Sequence, residues 1–266
     1  MRTIFKTELF TIEYRESDVK SSLLWERHCH ADFEMIGVLE GDVSVTIEGC
    51  PRRLTQNQAV IIPPLCYHTV IANQQGCYRR ITVRFADASI PRALRGSFSS
   101  NSPISVFSPS RLEAMQSLVK ALPSPLYAPL ADAYIMETLY DELSARQSEA
   151  WQETDSFLQA AISYIDEHLY EKISVDTLAR ITSRSRSSFC HLFEKKMKIA
   201  PKQYVLQKKM ALANQMINDG TSPTKAAGRL GYENYSSFYR MYVKLYGTSP
   251  KENKNATKNV ERDLPQ

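Results

Sequence analysis

The chain has few of the residues that build nucleotide-binding, disulfide-linked or zinc-stapled folds. Only 9 of its 266 residues are glycine, and no phosphate-cradling glycine loop occurs. The 5 cysteines are odd in number and include no Cys-x-x-Cys pair, which argues against a disulfide framework and a structural zinc site. No Ser-His-Asp ordering and no His-Glu-x-x-His helix is present, so two common hydrolase signatures are missing.

Long apolar runs are also missing. None approaches the roughly 18–20 residues needed to cross a bilayer. The first ten residues mix Arg, Lys and Glu with apolar residues, unlike a signal peptide. We therefore expect no membrane partner and a cytoplasmic location. With 43% hydrophobic and 23% charged residues, the composition is that of a globular protein long enough for two modest domains.

The net charge of +4 hides an uneven distribution. Residues 160–250 hold 14 Lys and Arg against 7 Asp and Glu, whereas the rest of the chain holds 19 against 22. A basic C-terminal half beside a slightly acidic N-terminal half is typical of a nucleic-acid-binding module attached to a second domain. An asymmetry of this size also arises by chance, so the charge alone does not decide between the two readings.

Residues 1–88 have the pattern of a strand-rich domain. Residues 43–47 and 80–85 alternate apolar and polar side chains with period two, and Pro63-Pro64 stops a short apolar run. Short strands separated by turns predict a small β-barrel or sandwich. Residues 89–147 form a loop followed by two helical patterns, which we expect to pack on the barrel, on each other or on a partner subunit. The last option predicts a homodimer.

The last hundred residues contain two similar helix-turn-helix patterns about 49 residues apart, after a polar linker at 148–156. Ser174 and Ser185 are predicted to cap the two helices of the first unit, with Phe189 and Phe193 inward. In the second unit Ser222 and Asn234 are the predicted caps, and Phe238 and Tyr242 are inward. A connector at 201–219 would span roughly 28 Å, close to the roughly 34 Å between successive major grooves on one DNA face.

The outward positions of each second helix are the candidate DNA contacts. We expect its N-terminal end to meet base edges, and lysines further along the first one to meet phosphates. The predicted DNA-binding residues are Arg186, Ser187, Cys190, His191, Lys195 and Lys196 in the first unit, and Tyr235, Ser236, Tyr239 and Arg240 in the second.

Residues 157–252 resemble the DNA-binding domain of the AraC/XylS family of transcription regulators. The resemblance depends on four segments: Leu178-Ala179, Ser185-x3-Phe189-x3-Phe193, Lys209-Met210-x2-Ala213, and Gly231-Tyr232-x5-Phe238-x-Arg240-x-Tyr242 through Pro250. It implies sequence-specific binding to double-stranded promoter DNA, contact with RNA polymerase, and base contacts at the outward positions named above. Ser183 and Lys198 stand where the family usually has glycine, so those turns must adopt positive φ without it.

The N-terminal half carries a pattern similar to the two signature motifs of the cupin superfamily. The first is His28-x-His30-x3-Glu34-x6-Gly41, and the second is Pro63-x4-His68. If the barrel closes as in cupins, three imidazoles and a carboxylate converge, a donor set that suits Fe, Mn, Ni or Zn. The same residues could instead line a pocket for a polar small molecule, or have purely structural roles. The candidate effector pocket also includes Trp25 and Tyr67.

We therefore predict an α+β protein of two domains. A cupin-like sensor barrel (1–88) precedes a helical segment for dimerisation (89–147), a linker (148–156), a double helix-turn-helix domain (157–252) and a polar tail (253–266). The predicted function is a DNA-binding transcription regulator controlled by a sugar or related metabolite, without catalytic residues or an obligatory cofactor. The alternatives are a metal-dependent cupin enzyme with a helical appendage, and a DNA-binding protein that has no effector.

Overall fold

The computed structural model describes residues 2–19, 23–90, 104–105, 114–115, 117, 128–144 and 155–252, with side chains described at all of these positions except 23–26, 104–105 and 140–144. The chain divides into two compact units, Met1–Gln152 and Glu153–Gln266. The first is mainly strands and the second is helices, which confirms the predicted α+β class. Most of the predicted helical segment and linker, and the tail at 253–266, lie outside the described residues.

The described part of the first unit contains two antiparallel sheets. The strands are β1 (Arg2–Lys6), β2 (Phe10–Val19), β3 (Leu23–His28), β4 (Phe33–Glu40), β5 (Asp42–Ile47), β6 (Cys50–Thr55), β7 (Gln58–Ile62), β8 (His68–Ala72), β9 (Gly76–Phe85) and β10 (Ile104–Ser105). One sheet has the order β1-β2-β9-β4-β7-β10, and the other has the order β3-β8-β5-β6. The alternation predicted at 43–47 is confirmed in β5, where Val43, Val45 and Ile47 are buried.

A shared apolar core joins the two sheets. It combines side chains of β4, such as Ile36 and Val38, with side chains of β5 and β8, such as Val45 and Val70. The sheets therefore face each other across this core, the arrangement predicted as a barrel or sandwich.

A second apolar cluster covers the opposite face of the larger sheet. Its members on β4 and β9 include Met35 and Val83, and helix α1 (Ala128–Ser144) contributes Ala131, Ile135 and Leu139. Of the alternatives open from the sequence, packing of this helix on the barrel is therefore observed. Because α1 covers one face and the core fills the other, β4 and β9 are buried on both faces. The alternation at 80–85 was interpreted as a half-buried strand, and that interpretation is wrong for Arg80 and Thr82, which are 5% and 4% exposed.

The described part of the second unit is entirely helical. Its helices are α2 (Ser156–Glu167), α3 (Val175–Ile181), α4 (Arg186–Met197), α5 (Pro201–Asn218), α6 (Pro223–Arg229) and α7 (Tyr235–Tyr246). All four predicted caps are confirmed: the side chains of Ser174, Ser185, Ser222 and Asn234 accept hydrogen bonds from backbone N–H groups of α3, α4, α6 and α7. Among the described residues, no helix is both long and apolar enough to cross a lipid bilayer.

Two of the turns adopt left-handed backbone without glycine, as the sequence required. Ser183, between α3 and α4, has φ of 53°, and Lys198, at the end of α4, has φ of 55°. A side chain is strained in this region, because its Cβ crowds the backbone. The fold therefore keeps these turns in spite of an unfavourable local preference.

Candidate functional site

The first candidate DNA reader is formed by α3 and α4. Phe189 and Phe193 are fully buried, with ring centres 5.5 Å apart, and Phe193 meets the Tyr204 ring of α5 edge-on at 5.3 Å. Burial of these inward positions turns the rest of α4 outward. Five of the predicted contacts on this helix are exposed and Cys190 is half-buried; the exposed ones are Arg186, Ser187, His191, Lys195 and Lys196.

The second candidate reader, α6 and α7, repeats this construction. Phe238 and Tyr242 are fully buried, and the Tyr242 hydroxyl lies 2.8 Å from Asn214 Oδ1 of α5. The predicted contact residues again lie on the other side of the helix: Ser236, Tyr239 and Arg240 are exposed, and Tyr235 is half-buried. Tyr239 keeps 41% of its surface exposed, so its ring and hydroxyl are accessible to a partner.

Two of the candidate cations on α4 have acidic neighbours. The Arg186 guanidinium donates to both carboxylate oxygens of Asp176 in α3, at 3.2 and 3.0 Å. Lys196 Nζ lies 2.6 Å from Asp155 Oδ2. Both pairs are exposed to solvent, so each contributes little stability and can be exchanged for a phosphate or a base edge at small cost.

The connector helix α5 carries two buried lysines that the sequence analysis did not single out as functional. Lys208 is fully buried and its Nζ lies 2.6 Å from Asp166 Oδ1 of α2. Lys209 is 7% exposed and its Nζ donates to two backbone carbonyls, those of Glu171 and Leu230. A lysine in an amphipathic helix normally faces solvent, so the 3.6-residue pattern gave no sign of these contacts.

In the first unit, the structure brings all four residues of the cupin-like pattern together. His28 ends β3 and lies opposite His68, the first residue of β8, while Glu34 lies on β4 and His30 lies in the loop between β3 and β4. One ligand atom from each of these residues falls within 4.8 Å of every other. The His28 and His68 rings are 4.4 Å apart between centres, and the His30 and His68 rings are 5.1 Å apart.

The two imidazoles nearest Glu34 have a fixed orientation. Nδ1 of His30 lies 2.9 Å from the Asp32 carbonyl, and Nδ1 of His68 lies 2.9 Å from the Cys66 carbonyl. A carbonyl oxygen can only accept, so each Nδ1 carries the proton. The Nε2 atoms then face Glu34 Oε2, at 3.3 Å for His30 and 3.2 Å for His68. A carboxylate is also an acceptor, so this arrangement needs a positive charge at Nε2 or between the groups.

Glu34 is ionised in this setting. Burial acts to raise its pKa, but the Arg84 guanidinium and the neighbouring His30 and His68 imidazoles outweigh burial and hold the pKa well below its ordinary value. Arg84 donates from Nε to Glu34 Oε1 at 3.0 Å. Glu34 therefore offers a carboxylate anion whose second oxygen is directed at the imidazoles.

The interior face of the larger sheet continues as a polar surface that the sequence analysis missed. Arg80 is buried and donates to Glu13 Oε1 at 2.9 Å. Next to it on β9, the Thr82 hydroxyl is buried and has no hydrogen-bond partner among the described residues. The signal was present as polar side chains at every second position of β9, but period two alone does not say which face of a strand is the interior.

Of the two remaining pocket candidates, the structure describes the side chain of Tyr67 but not that of Trp25. Tyr67 is buried immediately before His68, and its backbone N–H donates to Glu48 Oε1 at 2.9 Å. Trp25 lies on β3 opposite Val70 of β8, and its side chain is outside the described residues. Tyr67 thus adjoins the histidine cluster in the chain, whereas the role of Trp25 stays a prediction.

Comparison with known protein families supports this division of the chain. Residues 12–139 match the AraC-like ligand binding domain, and residues 178–256 match a helix-turn-helix domain. The chain belongs to the AraC family of transcription regulators. The predicted family is therefore confirmed, and membership agrees with the expectation of a regulator and not an enzyme.

Individual relatives of this AraC-family chain point the same way. It is 40% identical over 89 residues to "Probable transcriptional regulator LumQ" of Photobacterium leiognathi, a match that covers 33% of this chain and 36% of LumQ. It is 24% identical over 235 residues to the uncharacterized HTH-type transcriptional regulator YobQ of Bacillus subtilis (strain 168), covering 87% of this chain and 90% of YobQ. The chain thus spans about a third of LumQ and most of YobQ.

Among solved structures, ToxT from Vibrio cholerae O395 resembles this AraC-family chain over 92% of its length and 96% of ToxT, at 7% identity and a TM-score of 0.45. Because the score and the identity are low, the likeness places no ligand and no DNA contact in this chain.

Proposed function

We propose that this chain is a sequence-specific regulator that binds double-stranded DNA with α4 and α7, and that a ligand in its N-terminal unit controls the binding. The observation that carries the proposal is the repetition of one geometry. In both helix-turn-helix units the two inward aromatic side chains of the second helix are fully buried, and eight of the ten predicted contact residues are exposed, with Cys190 and Tyr235 half-buried. A recognition helix requires this division of its faces.

The connector and the charge fit the same function. Helix α5 has 18 residues and spans roughly 27 Å at the usual rise. A rigid helix of this length can hold two readers in successive major grooves, which lie roughly 34 Å apart. Exposed Lys195 and Lys196, together with the excess of 14 basic over 7 acidic residues in 160–250, supply cations for the phosphates.

An electrophoretic mobility shift with the purified full chain and the DNA upstream of its own gene tests this proposal. We expect a shift that an equal mass of unrelated DNA does not compete away. The logarithm of the affinity should fall linearly with the logarithm of salt concentration, with a slope of about −0.9 for each phosphate neutralised. A shift that is insensitive to salt, or equally strong on unrelated DNA, would contradict the proposal.

The proposed ligand is a small polar molecule, such as a sugar or related metabolite, bound at the interior polar face of the first unit. Supporting this class are polar groups on the interior face: the buried Thr82 hydroxyl, the buried pair Glu13–Arg80, and buried Glu34 with its half-buried partner Arg84. Such groups suit hydroxyl-rich ligands, which both donate and accept hydrogen bonds. A thermal-shift screen of sugars and sugar phosphates tests the class, since a ligand that binds the folded state raises the melting temperature.

We propose two protein partners as well, a second copy of this chain and RNA polymerase. A dimer is supported by α1, whose inward side packs on the sheet while Leu130 keeps 57% of its surface exposed. Contact with RNA polymerase is implied by family membership. Light scattering of the purified chain tests the first partner, and transcription from the bound promoter with purified polymerase tests the second.

A divalent transition metal is a second candidate ligand for the same unit, favoured by the histidine cluster. The donor set of three imidazoles and one carboxylate suits Fe, Mn, Ni or Zn. The backbone carbonyls of Asp32 and Cys66 hold His30 and His68 with Nε2 toward Glu34, as hydrogen-bond partners do for metal-ligating histidines. His68 Nε2 is buried and lies 3.2 Å from Glu34 Oε2, so a metal bound there would have both donor atoms within reach.

The geometry also fits a metal in size. Donor atoms around one tetrahedral ion lie roughly 3.4 Å apart, so a cluster within 4.8 Å needs only a small contraction. A bound cation would supply the positive charge that the two Nε2 atoms require beside the Glu34 carboxylate. His28, His30, Glu34 and His68 would hold it, and Arg84 would keep the carboxylate oriented.

Metal analysis of protein purified without chelators tests this candidate. We expect close to one equivalent of metal per chain, or of Co²⁺ after addition, with a visible absorption typical of nitrogen and oxygen ligands. The His68→Ala variant should lose the metal, whereas His191→Ala, an exposed histidine of α4, should retain it. Failure of every divalent metal to bind would contradict this candidate.

A further inference from the structure

Between the two helix-turn-helix units, one buried amine touches both. Lys209 of α5 is 7% exposed, and its Nζ donates to the Glu171 carbonyl, in the segment between α2 and α3. The same Nζ donates to the Leu230 carbonyl, at the end of α6, at 2.8 Å. One ammonium group thus bonds to backbone on the side of the first reader and to backbone at the turn of the second.

The contact between the Lys209 ammonium and the Leu230 carbonyl is electrostatically favourable. Leu230 is the C-cap of α6, and its carbonyl lies at the negative end of the helix dipole, where a cation is favoured. Burial lowers the pKa of Lys209, whereas the neighbouring Glu171 raises it. Leu230 is fully buried, so loss of the amine leaves its carbonyl without this donor and away from water.

Two further close approaches join the same two segments. Gly231 has φ of 77°, and a Cβ added there would lie 3.4 Å from the Tyr170 carbonyl oxygen and 3.4 Å from the Glu171 carbonyl carbon. Lys172 Nζ and Glu233 Oε1 are 3.5 Å apart at the solvent edge. The segment 170–172 therefore lies directly against 230–233, and the connector helix is not the sole link between the readers.

We propose that Lys209 is a positioning residue that fixes the distance and angle between the two readers, and so sets the spacing of the two half-sites in the operator. The inference rests on the proposed function, because it presupposes that both readers engage one DNA duplex. A rigid pair binds its second half-site as an intramolecular event, with a high effective concentration only at the matching spacing. A loose pair loses affinity at the correct spacing and tolerates wrong ones.

The experiment compares DNA duplexes selected from a random pool by the wild-type full chain. One duplex keeps the selected spacing, one carries 2 added base pairs between the half-sites, which rotates them by about 70°, and one has the second half-site scrambled. Wild-type protein should lose affinity strongly on insertion. Lys209→Met should bind the original duplex about 10-fold or more weakly, as expected for a lost buried bond to a charged group. It should lose much less on insertion and bind the half-site duplex like wild type.

Two variants provide matched controls. Lys208→Met removes the neighbouring buried amine, whose ion-pair partner Asp166 lies in α2, and should leave the insertion penalty unchanged. Lys209→Arg retains a cation that can donate to both carbonyls and should restore part of the penalty. Circular dichroism establishes that each variant is folded before DNA is added.

The outcomes separate the two proposals. If the wild-type chain selects no sequence from the pool, the proposed function fails. If it selects paired half-sites but tolerates the insertion, the readers are not held rigidly and the role of Lys209 is overturned, whatever the variants do. The role is also overturned if folded Lys209→Met shows the wild-type insertion penalty, or if it loses half-site and full-site binding equally.

Discussion

Replacement of Phe193 by alanine should unfold the second unit far more readily than the first. Phe193 is fully buried and its ring lies 5.5 Å from Phe189 and 5.3 Å from Tyr204. The Phe189 contact lies within α4, and the Tyr204 contact joins α4 to the connector helix α5. Loss of a buried phenyl ring costs about 3–5 kcal/mol, which includes the cavity that remains. Loss of the edge-on contact with Tyr204 places the expected cost in the upper part of that range.

The distribution of tryptophan makes the assay selective. The chain has two tryptophans, so in a Trp151→Phe background the fluorescence comes from Trp25, which lies on β3 of the first unit. Far-ultraviolet circular dichroism reports mainly on the helices, six of which belong to the described part of the second unit. At a urea dependence of about 2 kcal/mol per molar, the dichroism midpoint of Phe193→Ala should fall by about 2 M, while the fluorescence midpoint stays in place.

A matched apolar variant in the same helix-turn-helix decides whether burial is the cause. Ile181 ends α3 and is 38% exposed, so Ile181→Ala should cost less than about 1 kcal/mol. If Phe193→Ala costs no more than Ile181→Ala, the inward register of α4 is wrong, and the outward assignment of Arg186 and His191 is wrong with it.

Two other predictions concern DNA contact and alkaline pH. Arg240→Ala and Arg186→Ala should each weaken operator binding by about 1–3 kcal/mol if the contact is bidentate to guanine, without a change in the dichroism midpoint. As a control, Arg53→Ala in the first unit should bind DNA like wild type. Wild-type affinity in Arg240→Ala would refute the assignment of that residue to the DNA-facing side of α7. Burial raises the pKa of Tyr232 from 10.0 to about 12, so the folded chain holds a proton that the unfolded chain releases. The stability contributed by this group is complete below pH 10.0 and is lost as the pH rises toward 12. The dichroism midpoint should therefore fall across this window, and Tyr232→Phe should reduce the fall; an identical decline in both proteins would show that Tyr232 is not the group responsible.

The helical half of the molecule could be predicted closely because its signals are local. A serine or asparagine before an apolar repeat predicts a cap, and all four predicted caps accept the expected hydrogen bonds. Phe189, Phe193, Phe238 and Tyr242 are fully buried as the spacing predicted. Ile181, three positions after the fully buried Leu178, is 38% exposed, because α3 ends there and the helix offers no further turn to cover it.

The interior of the first unit could be predicted only in part, because its contacts are distant in sequence. The cupin-like pattern named His28, His30, Glu34 and His68, and the structure brings them within 4.8 Å. Arg84 pairs with Glu34 across 50 residues of sequence, and no local pattern joins them. Lys209 was noticed only as part of a family motif, since its carbonyl partners lie 38 and 21 residues away along the chain.

Because β4 and β9 are buried on both faces, neighbouring residues along each strand face different surroundings and are therefore under different constraints. Along β4, Glu34 faces the polar interior, whereas Phe33 and Met35 on either side of it face the cluster beneath α1. Along β9, Thr82 and Arg84 alternate in the same way with Val83 and Phe85. Relatives can therefore change the chemical preference of this face by exchanging residues 34, 82 and 84, while the residues between them keep the sheet packed against α1.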